Sequence, residues 1–212
     1  MFDKEKYLKI ASEVNSGVKI LAATKTKPKE EVLAALNAKI SLFGENYVLE
    51  AEEKYSFILP KLHSFGAKLH LIGHLQGNKA KKAVELFDCI ETIDSEKLAN
   101  KVNSAAVMQN KIMDVMIEVN FEEQKSGVRP EKVEALAQTV RKLNNLNLVG
   151  LMCVPKIGEE KENFKLMQEL KQKLGVPQLS MGMSSDYKIA IQYGATIVRL
   201  GTILFGEREK KN

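Results

Sequence analysis

Two basic residues stand where chemistry could be done. Lys25 directly follows the apolar run Lys19-Ile20-Leu21-Ala22-Ala23-Thr24, and Arg199 lies inside the short apolar run Ile197–Leu200. An arginine inside a strand is hard to dismiss as solvation, because a buried, unpaired charge is costly. Near Arg199 are two turns rich in small polar residues, Ser180-Met181-Gly182-Met183-Ser184-Ser185-Asp186 and Gly201-Thr202. Glycine lets a backbone come close to an anion, and a Ser or Thr hydroxyl adds a donor. A helix beginning near Ser185 would aim its free amides at a phosphate. A lysine, an arginine and a phosphate cradle suggest two chemistries. One is a Schiff-base lyase or isomerase acting on sugar phosphates. The other is pyridoxal phosphate (PLP) held as an aldimine on Lys25, whose amine must be unprotonated to react. Partial burial and a nearby Lys27 or Arg199 cation would favour that state. An arginine beside a pyridine nitrogen would keep that nitrogen unprotonated and weaken the ring as an electron sink.

For these residues to meet, the chain must bring its first and last strands together. Apolar runs suited to strands occur at 19–24, 40–44, 68–72, 89–93, 112–120, 146–154, 178–180 and 197–200, each followed by a helical pattern. The helices include 30–36, a segment over 46–63 broken near Pro60, and 78–86. One after Asp94-Ser95 carries Leu98, Val102 and Ala106 on one face. Another carries Val133, Leu136, Val140 and Leu143, and a third carries Phe164, Met167, Leu170 and Leu174 and ends at Gly175. Parallel strands need such crossovers. Eight units are the count that closes a (β/α)8 barrel, whose active face lies at the C-terminal strand ends and whose phosphate site follows strands 7 and 8. In a closed barrel strand 8 neighbours strand 1, so Lys25 and Arg199 share one mouth. A doubly wound open sheet is the alternative if the shortest strands, at 89 and 178, are misread. Residues 1–16 read as a leading helix with Tyr7, Leu8, Ala11 and Val14 on one face, and 17–207 as the barrel of a single domain spanning 1–212.

Composition narrows the classes. The chain has 212 residues, 44% of them apolar and 28% charged, and 32 Lys+Arg against 27 Asp+Glu give a net charge of +5. This excludes disordered and collagen-like chains. No apolar run approaches the roughly 18 residues of a membrane span, and the N-terminus lacks a signal-peptide core. Cys89 and Cys153 are expected as buried free thiols in a reducing cytoplasm. The basic clusters Lys79-Ala80-Lys81-Lys82 and Lys210-Lys211 lack flanking aromatics for base stacking, so no nucleic acid or membrane partner is expected. His70 and His74 lie on a strand and its following loop, which is no helical metal pair, and structural roles are expected for both. Met181 and Met183 bracket Gly182, where core filling is the commoner role.

Several ordered blocks go further. They are Ala-Thr-Lys-Thr-Lys-Pro over 23–28, Phe-Gly-Glu-Asn-Tyr over 43–47, His70 to Lys79, Lys125-Ser126-Gly127, Gly150-Leu151-Met152, Leu179 to Asp186 and Val198 to Gly206. With these the chain resembles the pyridoxal phosphate homeostasis proteins, single-domain barrels related to the barrel domain of alanine racemase, over about residues 17–207. The resemblance implies PLP as an internal aldimine on Lys25 and Arg199 near the pyridine nitrogen. It also implies Ser184, Gly201 and Thr202 on the phosphate and Asn46 as a ring contact. It implies a cytoplasmic monomer that carries or buffers PLP, with PLP-dependent apo-enzymes as the partners served and no established turnover. The leading segment looks shorter than is usual in that family. Racemases of the related fold use a second domain to supply an opposing Tyr base. Only six residues follow Gly206, so no such domain is expected, and Tyr47 or Tyr193 would have to substitute. An amino-acid racemase is the alternative activity.

Overall fold

The computed structural model describes residues 1–14, 17–122 and 125–207, and the Lys210-Lys211 cluster lies outside them. Eight parallel strands close into a barrel in chain order. They are β1 (Lys19–Ala23), β2 (Leu42–Glu45), β3 (Lys68–Leu71), β4 (Cys89–Ile93), β5 (Met113–Val119), β6 (Leu146–Cys153), β7 (Gln178–Ser180) and β8 (Ile197–Leu200). The ring is completed by β1 against β8, with Leu21 opposite Arg199. The open-sheet alternative is therefore set aside: the short strands at 89 and 178 are real, and each pairs with both neighbours.

The helices are α1 (Lys4–Glu13), α2 (Lys29–Asn37), α3 (Val48–Tyr55), α4 (Leu59–Ser64), α5 (Ala80–Leu86), α6 (Glu96–Met108), α7 (Val133–Arg141), α8 (Glu160–Leu174), α9 (Tyr187–Gln192) and α10 (Thr202–Phe205). The periodic faces read from sequence are the buried ones: Leu98, Val102 and Ala106 on α6, Val133, Leu136 and Val140 on α7, and Phe164, Met167, Leu170 and Leu174 on α8. Ser95 caps α6 by accepting from the Leu98 amide. Gly175 ends α8 at φ +63°, a left-handed conformation that glycine adopts without a Cβ penalty. The segment over 46–63 divides into α3 and α4 upstream of Pro60, which sits in the first turn of α4, where its missing N–H costs nothing.

The leading helix corrects one expectation. Ile10 is its buried residue, with Tyr7 and Val14 packed partly against the core, while Leu8 and Ala11 face solvent. The packing partner decides the face. The Asp3 amide donates to Leu204 O at 2.8 Å, and the Phe2 ring lies 5.6 Å from that of Phe205, so α1 docks on α10.

Most buried apolar side chains form one cluster between strands and helices. A second, smaller cluster of Leu21, Leu42, Cys89, Met116, Val149, Met152 and Ile197 fills the barrel interior. Among the described residues no helix is long and apolar enough to cross a membrane.

Candidate functional site at the C-terminal mouth of the barrel

Residues paired across parallel strands point the same way, so register locates the inward side chains. Leu21 is inward and sits opposite Arg199. Cys89 is inward and sits opposite His70 and Asp114, which makes Met116 and Glu118 inward as well. The barrel interior thus holds His70, Glu91, Glu118 and Arg199 among apolar neighbours.

Arg199 is 5% exposed. Its Nη1 donates to Ser180 Oγ at 2.9 Å and its Nη2 to the Cys153 carbonyl at 2.7 Å, which ties β8 to β7 and β6. The arginine expected inside a strand is therefore buried but hydrogen-bonded, as a buried charge must be.

Lys25 begins the turn after β1 and is half-buried. Gly201 follows β8 on the neighbouring strand. A Cβ built on Gly201 would meet nothing nearer than Ala23 O at 3.5 Å and Ala23 Cβ at 3.6 Å. A side chain here would make only ordinary contacts with the strand that leads to Lys25. Ser184, in the loop after β7, accepts from the Ile203 amide at 3.3 Å, so the loops after β7 and β8 meet. A hydroxyl that accepts in this way can still donate its own hydrogen. Thr202 is exposed in the first turn of α10. Asn46 follows β2, and its Oδ1 is buried without a hydrogen-bond partner among the described residues. Its backbone is so close to Gly73 that a Cβ there would stand 2.2 Å from Asn46 O. All six expected positions therefore lie at the C-terminal ends of β1, β2, β7 and β8.

One expectation is corrected. The helix expected to begin near Ser185 is α9, from Tyr187, preceded by a turn in which the Tyr187 amide donates to Met183 O at 2.9 Å and the Asp186 carboxylate accepts from the Met183 amide. The turn that faces Ser184 is α10 instead. The Lys27 ammonium donates to Phe205 O at 3.0 Å, at the end of α10. Tyr47 is 62% exposed on the rim, and Tyr193 caps the C-terminal end of α9, at the other end of the barrel.

Both histidines named from sequence face carboxylates. His70 Nδ1 lies 2.6 Å from Glu91 Oε1 and His74 Nδ1 lies 3.4 Å from Asp94 Oδ2. No group of three metal-ligating side chains occurs among the described residues. Both cysteines are free and buried, Met181 is core, and Lys82 pairs with Glu52 and Glu85 on the surface.

Acids missed at the sequence level surround the site. Glu45, at the end of β2, is fully buried and accepts from Thr24 Oγ1 at 2.7 Å and Lys54 Nζ at 2.8 Å. Burial pushes its carboxyl above the usual range, while Lys54 and Thr24 pull it back. Glu118 Oε1 accepts from Ser126 Oγ at 3.2 Å, and Oε2 is buried without a partner among the described residues. Burial raises this carboxyl too, against weaker opposing pulls from Ser126, His74 and Arg199. The argument applied to Arg199, a charge inside an apolar strand, would have flagged Glu45, Glu91 and Glu118. A cavity of about 120 Å³, lined by Lys19, Lys68, His70 and Asp114, lies at the opposite, N-terminal end of the barrel, away from Lys25.

Known proteins agree with this geometry. The alanine racemase N-terminal domain family matches residues 4–209. A pyridoxal phosphate homeostasis protein from Pasteurella multocida is 39% identical over 212 residues, covering 94% of this chain and 90% of the relative. The protein of that name from Homo sapiens is 38% identical, covering 90% and 77%. Among solved structures, PipY of Synechococcus elongatus with PLP bound superposes at a TM-score of 0.87 with 32% identity, covering 96% of this chain and 99% of that one. An alanine racemase from Clostridium difficile superposes at a TM-score of 0.76 with 17% identity, a likeness of fold alone, and this chain spans 57% of it. The strand order, the residues at the barrel mouth and these identities together mean that the chain belongs to the pyridoxal phosphate homeostasis protein family, on the alanine racemase N-terminal-domain fold.

Proposed function

We propose that this chain binds PLP covalently through the Lys25 amine and serves intracellular PLP homeostasis. The observation that carries the reading is the convergence at one mouth of Lys25, the buried Arg199 and the joined Ser184 and Ile203 loops. The residues fit the cofactor: Asn46 Oδ1 is a buried acceptor lacking a partner among the described residues, and the Ser184 hydroxyl keeps its hydrogen to donate. Bound PLP supplies an electrophilic carbon for amines and an electron-withdrawing ring. On this reading Ser184, Gly201 and Thr202 hold the phosphate, Asn46 touches the ring, and Arg199 keeps the ring nitrogen unprotonated because a guanidinium does not give up its proton. An arginine there damps carbanion chemistry, and Tyr193 lies at the other end of the barrel from Lys25. Holding and releasing the cofactor is therefore favoured over racemisation. The whole chain acts as one unit, a monomer of the cytoplasm, where its free thiols stay reduced, and PLP-dependent apo-enzymes are the recipients.

The test is the visible spectrum of the protein after PLP is added, followed by borohydride reduction and peptide mass mapping. A cofactor-mass adduct on Lys25 is expected. Protein that takes up no PLP, or that is labelled only at other lysines, overturns the reading.

A further inference from the structure

The turn that carries Lys25 is held from outside the barrel by α3. Lys25 is the second residue of the turn Thr24–Lys27, closed by the Lys27 amide donating to Thr24 O at 3.0 Å, and Thr26 takes φ +63°. That conformation is uncommon for a β-branched residue and needs support from its surroundings. Support comes on both sides of Lys25. The peptide before it presents the Thr24 carbonyl, which accepts from Lys54 Nζ at 2.7 Å. The peptide after it presents the Thr26 amide, which donates to Glu50 Oε1. The same Lys54 ammonium also donates to Glu50 Oε1 at 3.0 Å and to buried Glu45 Oε1 at 2.8 Å. Glu45 in turn accepts from Thr24 Oγ1, whose oxygen lies 2.7 Å from Tyr55 OH. Glu50 and Lys54 are four apart on α3 in the order that favours an ion pair along a helix. The Lys54 side chain is only 7% exposed, which separates this pair from ordinary surface bridges.

We propose that Glu50 and Lys54 are positioning residues for Lys25: one ion pair on α3 grips the peptide units before and after it, fixing both of its backbone dihedrals. Neither residue is assigned a contact with the cofactor. The inference rests on Lys25 being the PLP-binding lysine, and its consequence is a preorganised amine. A loose Lys25 must be ordered at the moment of binding, which lowers affinity.

The experiment uses the full chain with Glu50→Ala, Glu50→Gln, Lys54→Met and Lys54→Arg. Glu50 is partly exposed, so Glu50→Ala should keep its far-ultraviolet circular dichroism and melt within a few degrees of wild type. Hydrogen exchange at the Thr26 amide should accelerate about tenfold or more as its acceptor is lost. PLP affinity should fall about tenfold, the worth of one charge-assisted hydrogen bond. The visible circular dichroism of bound cofactor, which reports its fixed orientation, should shrink. Lys54→Met should weaken binding further, Lys54→Arg should recover part of it, and Glu50→Gln should lie between Glu50→Ala and wild type. A folded Glu50→Ala protein with wild-type affinity and visible dichroism overturns the proposal. So does unchanged exchange at Thr26, which needs no cofactor and tests the grip itself. Faster exchange with no PLP adduct on wild-type Lys25 instead overturns the binding role of the lysine, and with it the purpose of the grip.

Discussion

Replacing Arg199 with methionine tests whether one buried guanidinium both closes the barrel and tunes the cofactor. The β7–β8 join is the thinnest in the ring, with Ser180 opposite Ile197 as its one register pair, and β7 is three residues long. Arg199 reinforces this join with donations to Ser180 Oγ at 2.9 Å and Cys153 O at 2.7 Å. A hydrogen bond from a charged donor contributes about 1.5–3 kcal/mol, so the pair contributes about 3–6 kcal/mol before desolvation of the guanidinium is counted against it. Methionine fills much of the volume and removes the charge, while leaving the Cys153 carbonyl without that donor. A net loss of about 2 kcal/mol is expected, or a fall of about 4–8 °C in Tm for a chain of this size. Lysine offers a compact ammonium in place of the planar fork and should lose about half as much. Thermal melts of the three cofactor-free proteins measure this. If Arg199 faces the ring nitrogen as proposed, Arg199→Met lets that nitrogen take a proton in the loaded protein, so exchange of the α-proton of added amino acids in deuterated water should rise above wild type. A Tm within 1 °C of wild type, about the resolution of a melt on this scale, would refute the structural argument. Unchanged exchange would refute the placement of the guanidinium at the ring nitrogen.

Three further outcomes follow from the same geometry. Lys25→Ala should fold as wild type, since Lys25 is half-buried at a rim, yet lose the visible absorbance of bound cofactor; an unchanged spectrum would rule out the assignment. Burial pushes the Cys153 thiol up to about 12 and the Cys89 thiol well above its ordinary value, so neither should react with a thiol reagent until the protein unfolds. Fast labelling of native protein would contradict their burial. Glu118 holds its proton to higher pH when folded than the ordinary 4.5, so the stability tied to that proton is complete below about pH 4.5 and is lost as pH rises through the folded value. Glu118→Gln should therefore flatten the decline in urea midpoint between about pH 4.5 and neutrality and be the more stable protein at neutral pH, and a slope identical to wild type would show that Glu118 ionises freely.

The sequence alone determined the order and number of the elements, while closure into a barrel rather than an open doubly wound sheet was decided by the pairing of β8 with β1. Strands buried on both faces read as unbroken apolar runs, and α6, α7 and α8 carry apolar residues every three or four positions, so both signals are local. Lys25, Arg199 and Gly201 were legible because each breaks such a run or ends it. Two kinds of feature were not local. The face of α1 was misread because Tyr7, Leu8, Ala11 and Val14 make as plausible a stripe as Tyr7, Ile10 and Val14, and only docking against Leu204 and Phe205 on α10 selects the second. The charged interior was missed because a strand closed into a barrel has two buried faces, and sequence does not say which residues face inward. Glu45 finds Thr24 across 21 residues, and Arg199 finds Cys153 across 46. A buried charge is stable only where its partners stand, and barrel closure is what brings those partners within hydrogen-bonding distance.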